Sequence, residues 1–189
     1  MIKLIFVTGN SKKFQSAQEI LKKYGICLVQ KKIETIEIQD CDVRRIAEFS
    51  AKYAGDLLKK PVIKVDVGFE IEALNNFPGP LVKYINEWLP SQKILKLMEG
   101  ENNRKAKFVE VIAYYEPGIS PLSFVAETQG EIAQKPAGEK SGWGIDAIFI
   151  PRGFRTSLAT LSNKQRLKVW SKSHWIRLAQ YLRSKNKNA

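Results

Sequence analysis

The sequence predicts an α/β fold, a mixed twisted sheet with flanking helices, and three observations carry that prediction. Apolar runs alternate with helical apolar spacing from Ile2 to Leu57; a Thr8-Gly9-Asn10 turn joins the first run to the first helix; and the middle of the chain holds two long extended segments. Strands alternating with helices bury both faces of a shared sheet. In chain order, Ile2 to Val7 is a short apolar strand, and Phe14, Ala17, Leu21 and Tyr24 fall on one helical face that Gly25 ends. Ile26 to Val29 is a second strand, and Ile33 to Ile38 is irregular or extended. Asp42 opens a helix whose apolar face runs through Ile46, Ala47, Tyr53, Ala54 and Leu57, with Pro61 ending it. Val62 to Asp66 is a strand that ends at Asp66, with a turn at Gly68 into the alternating Phe69, Ile71 and Ala73.

The second half changes style. Pro90 to Met98 is a short helix, and Phe108 to Tyr115 and Leu122 to Ala133 are long strands around the Glu116-Pro117-Gly118 turn. Ile145 to Ile150 returns to a buried strand, and Leu167 to Leu182 is a closing amphipathic helix. The 189 residues, 44% hydrophobic, suffice for one domain spanning 1–189 with two lobes, residues 184–189 forming a flexible basic tail.

Composition narrows the function classes. No stretch approaches the roughly 18 consecutive apolar residues of a membrane span, and no charged leader precedes the first strand, so the expected location is cytoplasmic. Cys27 and Cys41 lack a CxxC spacing, which excludes a disulfide framework or a zinc site of the usual pattern. The net charge is +12, and no acidic residue follows Asp146. A one-signed segment of that kind attracts anions, either a polyphosphate substrate or a nucleic-acid backbone, and equally serves as a solvated helix face.

Three constellations carry chemistry. A Thr8-Gly9-Asn10 turn between strand and helix, with Lys13 one turn inside, offers free N–H groups, close backbone approach and an ammonium to a phosphate. Asp66 and Glu37 are two carboxylates suited to Mg²⁺, which takes oxygen ligands and bridges them to phosphates. In Ser141-Gly142-Trp143-Gly144-Ile145-Asp146 the glycines expose an indole that can stack a base, and Asp146 can read the base's edge.

Together and in this order the pieces resemble the Ham1 family of inosine/xanthosine triphosphate pyrophosphatases. The resemblance rests on Thr8-Gly9-Asn10-Ser11-Lys12-Lys13, on Glu37-Ile38-Gln39, on Asp66-Val67-Gly68-Phe69, on Ala73-Leu74-Asn75-Asn76-Phe77-Pro78-Gly79 and on Gly142-Trp143-Gly144-Ile145-Asp146. It implies an elongated two-lobed fold with a central nucleotide cleft, a homodimer, and Mg²⁺-dependent cleavage of noncanonical purine triphosphates to a monophosphate and pyrophosphate. Carried over by position, Thr8, Gly9, Asn10 and Lys13 hold the triphosphate, Glu37 and Asp66 bind the metal, and Trp143 and Asp146 hold the base. Asp66 and Lys13 are the catalytic pair, Asp66 orienting or deprotonating the attacking water.

The sequence also departs from the family. Val65 and Val67 stand where an acidic residue and a serine are usual, Ser16 replaces a glutamate, and a helix lysine falls at Ser50. The C-terminal Ser-His-Arg falls on Trp170-Ser171-Lys172 without gaps, or on Ser173-His174-Trp175 after a three-residue shift. Lys172 or His174 is accordingly the substrate contact, and His174 is otherwise a surface helix residue. Two other readings stand beside hydrolysis: a nucleotide-binding relative without turnover, and a nucleic-acid-associated module using the basic C-terminal third with Trp170 and Trp175 as stacking faces.

Overall fold

A computed structural model describes residues 2–138 and 144–187. Trp143, the expected base-stacking indole, lies outside the described residues. Seven strands form a mixed sheet among them, in the order β2-β1-β3-β5-β6-β7 with β4 paired to β3. The chain divides into two compact units: residues 1–66, 110–126 and 172–189 form unit 1, and residues 67–109 and 127–171 form unit 2.

Unit 1 is built on β1 (Ile2–Val7), which pairs in parallel with β2 (Ile26–Lys31) and with the start of β3 (Val62–Ile71). Parallel neighbours need a crossover, and α1 (Ser11–Lys22) supplies the first. Its predicted face is the buried one: Ala17 and Leu21 join Leu4, Phe6, Ile26, Leu28 and Ile63 in one core cluster, with Phe14 and Tyr24 packed against it. Losing Leu21, which is fully buried, would cost about 2–5 kcal/mol. The second crossover, α2 (Val43–Leu58), is N-capped by Asp42, whose side chain accepts from the Arg44 N–H. It ends at Lys59 in the left-handed region (φ 52°), before Pro61 is reached. Gly55 on this helix lies against the Tyr115 ring, where a Cβ would collide with the ring carbons. The Tyr115 hydroxyl donates to Asp56 at 2.6 Å on the same helix.

Unit 2 has its own core of Phe69, Phe108, Phe149, Ile71, Ile132 and Met98. Phe149 meets the Phe69 and Phe108 rings edge-on at 5.5 and 5.1 Å. The first part of β5 (Lys105–Tyr115) and the second parts of β6 (Leu122–Ile132) and β3 lie here, so these strands run from one unit into the other. The short β4 (Phe77–Gly79) pairs antiparallel to β3, and β7 (Phe149–Pro151) pairs antiparallel to β6. Gly130 permits that last pairing, since a Cβ there would strike the Ile150 carbonyl and the Phe149 ring. Two short helices, α3 (Val82–Trp88) and α4 (Ser91–Leu97), follow β4.

Several expectations are corrected. β3 continues through Gly68, so Asp66 lies inside a strand and does not terminate one; pairing with β4 extends it. The buried strand expected over Ile145 to Ile150 is a 3₁₀ turn, Gly144–Ala147, and a three-residue strand. The closing helix is two helices, α5 (Asn163–Val169) and α6 (Ser173–Lys187). Ser162 and Gln165 form a capping box at the start of α5, and the break falls at Trp170, which is extended (ψ 124°). Residues 184–187, expected as tail, continue α6.

Candidate active site

In unit 1 the Thr8–Lys13 turn has a defined internal order. The Asn10 N–H donates to Thr8 Oγ1 at 3.1 Å, and Asn10 Oδ1 accepts from the Lys13 N–H at 3.0 Å, capping α1. The strand side is tied down by Thr8 N–H to the Lys31 carbonyl and by Gln30 Nε2 to the Thr8 carbonyl, at 3.0 and 3.1 Å. First-turn N–H groups of Ser11 and Lys12 have no acceptor within the helix, by helix geometry. Nothing among the described residues fills the space that a Cβ on Gly9 would occupy. The turn is therefore a rigid, exposed set of donors at a positive helix end, with the Lys13 side chain beside it.

Asp66 is the second component. Its Oδ2 is buried and has no hydrogen-bond partner among the described residues. Burial pushes its carboxyl above the ordinary aspartate range; the nearby Glu37 charge adds to that, and the Lys64 and Lys13 ammonium groups oppose it. The same interactions place Glu37, Lys64, Lys13 and Asp66 within one electrostatic neighbourhood, all in unit 1. Lys64 Nζ donates to Thr35 Oγ1 at 3.0 Å and stands 4.0 Å from Glu37 Oε1. Among the described residues no group of three or more His, Cys, Asp or Glu side chains could enclose a metal. The two carboxylates fit a divalent cation that keeps water and phosphate oxygens in its remaining positions, which is the habit of Mg²⁺.

In unit 2, Asp146 is held differently. Arg166 donates to Asp146 Oδ2 at 2.7 Å and to the Leu158 carbonyl at 2.9 Å. Only 10% of the Asp146 side chain is exposed. Burial raises its carboxyl pKa, with Arg166 pulling the other way. Asn86 on α3 accepts from the Ile145 N–H at 3.4 Å, fixing the same turn. A larger pocket of about 710 Å³ in unit 2, lined by Glu70, Lys107, Glu127 and Arg152 among others, contains none of the candidate residues.

A model of the Ham1 family matches residues 4–180. The chain belongs to the Ham1 family. It is 42% identical over 168 residues to a dITP/XTP pyrophosphatase of Methanopyrus kandleri, with 89% of each chain covered. A protein of the same description from Methanosarcina mazei is 41% identical over 169 residues, covering 89% of this chain and 90% of that one. The solved Ham1 protein of Staphylococcus aureus superimposes with a TM-score of 0.82 at 25% identity, covering 97% and 99% of the two chains.

For this Ham1-family chain the departures seen in the sequence now have positions. Val65 packs against the unit 1 core and lines a cavity of about 250 Å³ with Phe6, Lys13, Ser16, Glu110 and Trp175. Val67 packs against the unit 2 core. Ser50 is fully buried and its hydroxyl donates to the Ile36 carbonyl at 3.3 Å. Lys172 is exposed, in the joint between α5 and α6. His174 is not a surface residue: it is 1% exposed, neither ring nitrogen has a hydrogen-bond partner among the described residues, and Nε2 lies 3.4 Å from Glu110 Oε1. The indole stacking faces expected for nucleic acid are also occupied. Trp175 is buried with its ring 6.0 Å from Phe6, and Trp170 packs at 5.3 Å against Phe108. Sequence reasoning missed Arg166 and Lys64 as site neighbours, because each read as one more cation in a basic chain. The alternation rule could have found Lys64, since it places Lys64 and Asp66 on one face of a strand.

Proposed function

We propose that this chain hydrolyses noncanonical purine nucleoside triphosphates such as dITP, ITP and XTP to the monophosphate and pyrophosphate, with Mg²⁺ held by Glu37 and Asp66. The observation that carries the reading is Asp66: a buried carboxylate oxygen without a partner among the described residues, beside a second carboxylate, in the same unit as an exposed N-terminal donor set. A buried unpaired carboxylate is costly unless a ligand or proton satisfies it, so its presence argues for a ligand.

The chemistry follows from the placement. Thr8, Gly9, Asn10 and Lys13 hold the triphosphate through backbone N–H groups, the turn hydroxyl and the ammonium. Asp66 is placed to orient a water for attack on the α-phosphorus and to accept its proton. Bound Mg²⁺ supplies charge neutralisation to the phosphate oxygens. Asp146, held by Arg166, reads the edge of the base that Trp143 stacks, and Lys172 adds a cation for the phosphates. His174, being buried, is a core residue in this reading. The expected homodimer and cytoplasmic location belong to the proposal as well. No helix among the described residues is long and apolar enough to cross a membrane.

The test is product identity: Mg²⁺-dependent release of pyrophosphate, with no orthophosphate, from dITP and XTP, and far less from ATP. Nucleotide-dependent thermal stabilisation without any product would replace hydrolysis by binding alone. Trp143→Ala should weaken nucleotide binding by about 1–3 kcal/mol, measured by calorimetry. A folded variant of unchanged affinity would remove the indole from the base site.

A further inference from the structure

Lys64 has no place in the mechanism above, yet its geometry is that of a residue built into the site. Strand β3 puts it two positions before Asp66 and so on the same face. Its side chain is only 12% exposed, unusual for a lysine, and its ammonium is anchored by Thr35 Oγ1 at 3.0 Å. From that anchor Nζ stands 4.0 Å from Glu37 Oε1. Lys64 is also the foremost of the two cations acting on Asp66, ahead of Lys13. On the neighbouring helix, Ser50 stands where a lysine was expected from the family pattern, and its buried hydroxyl donates to the Ile36 carbonyl. Both side chains reach the same stretch, residues 35–37, but only the one from the strand carries a cation there.

We propose that Lys64 is the resident counter-ion of the Glu37–Asp66 carboxylates: a positioning residue that holds the pair together before a metal arrives and competes with a divalent cation for them. The inference rests on the metal reading of those two carboxylates given above. Its physical content is simple. Two like charges brought together repel, and an ammonium on a largely buried four-carbon stem reduces that repulsion without occupying all of the carboxylate oxygens. An incoming divalent cation then meets a site already partly neutralised, so its intrinsic affinity is lower than the bare pair would give. The polyphosphate substrate, which brings negative charge, restores the balance and gains Lys64 as a second cation.

The experiment is calorimetric titration of Mn²⁺ into the substrate-free protein. Lys64→Met keeps the apolar stem and removes the charge; it should bind Mn²⁺ at least about fivefold more tightly than the natural chain. Lys64→Arg, which keeps a cation, should stay near the natural affinity, and adding Asp66→Asn to Lys64→Met should abolish the gain. A structural defect would weaken binding, so tightening separates the two. Lys64→Met with affinity equal to or below that of the natural chain overturns the inference. The metal reading has a separate readout in Asp66→Asn alone. If that variant loses Mn²⁺ while Lys64→Met gains nothing, only the role of Lys64 fails; if it binds as the natural chain does, the carboxylate site fails with it.

Discussion

Asp66 in unit 1 and Asp146 in unit 2 face the same problem and meet it in opposite ways. Asp146 is buried and Asp66 has one buried oxygen, and burial raises the pKa of each. Asp146 is answered within the protein, by Arg166 at 2.7 Å. Asp66 has an oxygen with no partner among the described residues, and Lys64, one of the cations that act on it, stands 4.0 Å from Glu37. The difference separates a carboxylate already paired within the protein from one with an oxygen left open. Under the proposed function the chemistry lies in unit 1, with the Thr8–Lys13 turn, and the Asp146 turn in unit 2 serves the base.

The largest effect that could break this contrast lies in unit 2. Arg166→Met leaves Asp146 largely buried and uncompensated, and should cost about 2–3 kcal/mol in urea denaturation, below the value for a fully buried pair because a quarter of the Arg166 side chain is exposed. A cost near zero would make the pair an ornament of the surface. Next comes Lys13→Ala in unit 1, which should leave stability within about 0.5 kcal/mol, since Lys13 is exposed, while raising KM for the triphosphate roughly tenfold. Asn10→Ala sharpens the turn itself. Removing the cap that accepts from the Lys13 N–H should cost about 1 kcal/mol in thermal unfolding.

The smallest expected effect is the pH dependence of stability without ligand. A raised carboxyl pKa means that the folded state binds a proton more tightly than the unfolded chain does. The corresponding stability is fully present below the unfolded aspartate pKa and is lost as pH rises through the higher folded value. Asp66→Asn should remove that slope and leave the protein somewhat more stable at neutral pH, with equilibrium denaturation across pH as the measurement. An unchanged slope would mean that Asp66 is solvated as freely in the folded chain as in the unfolded one.

How much of this was legible in the sequence follows from the range of each interaction. The α1 face, the Asp42 cap and the Thr8-Gly9-Asn10 turn are decided within a few residues, and pattern reading found them. Where β3 ends is decided by pairing with β4, which local pattern does not contain, so Gly68 was mistaken for a turn. The closing helix was read as continuous because apolar spacing carries on through Trp170, whereas the Phe108 ring packs against that indole at the break between α5 and α6. His174 illustrates the same limit. Its sequence neighbours are polar on one side, and only the fold shows it 1% exposed beside Glu110 and Trp175. Motif order supplies the candidate site, but which carboxylate is paired and which is left open is a property of tertiary contacts alone.

The most direct test of the contrast is a side-by-side measurement of Asp66→Asn and Asp146→Asn, recording pyrophosphate release from dITP with Mg²⁺ alongside the melting temperature. The account predicts that Asp66→Asn loses turnover by about a thousandfold or more with an equal or higher melting temperature. Asp146→Asn should melt earlier and retain far more of its turnover per folded molecule. Turnover that survives in Asp66→Asn, or that vanishes only in Asp146→Asn, would contradict the assignment of the chemistry to unit 1.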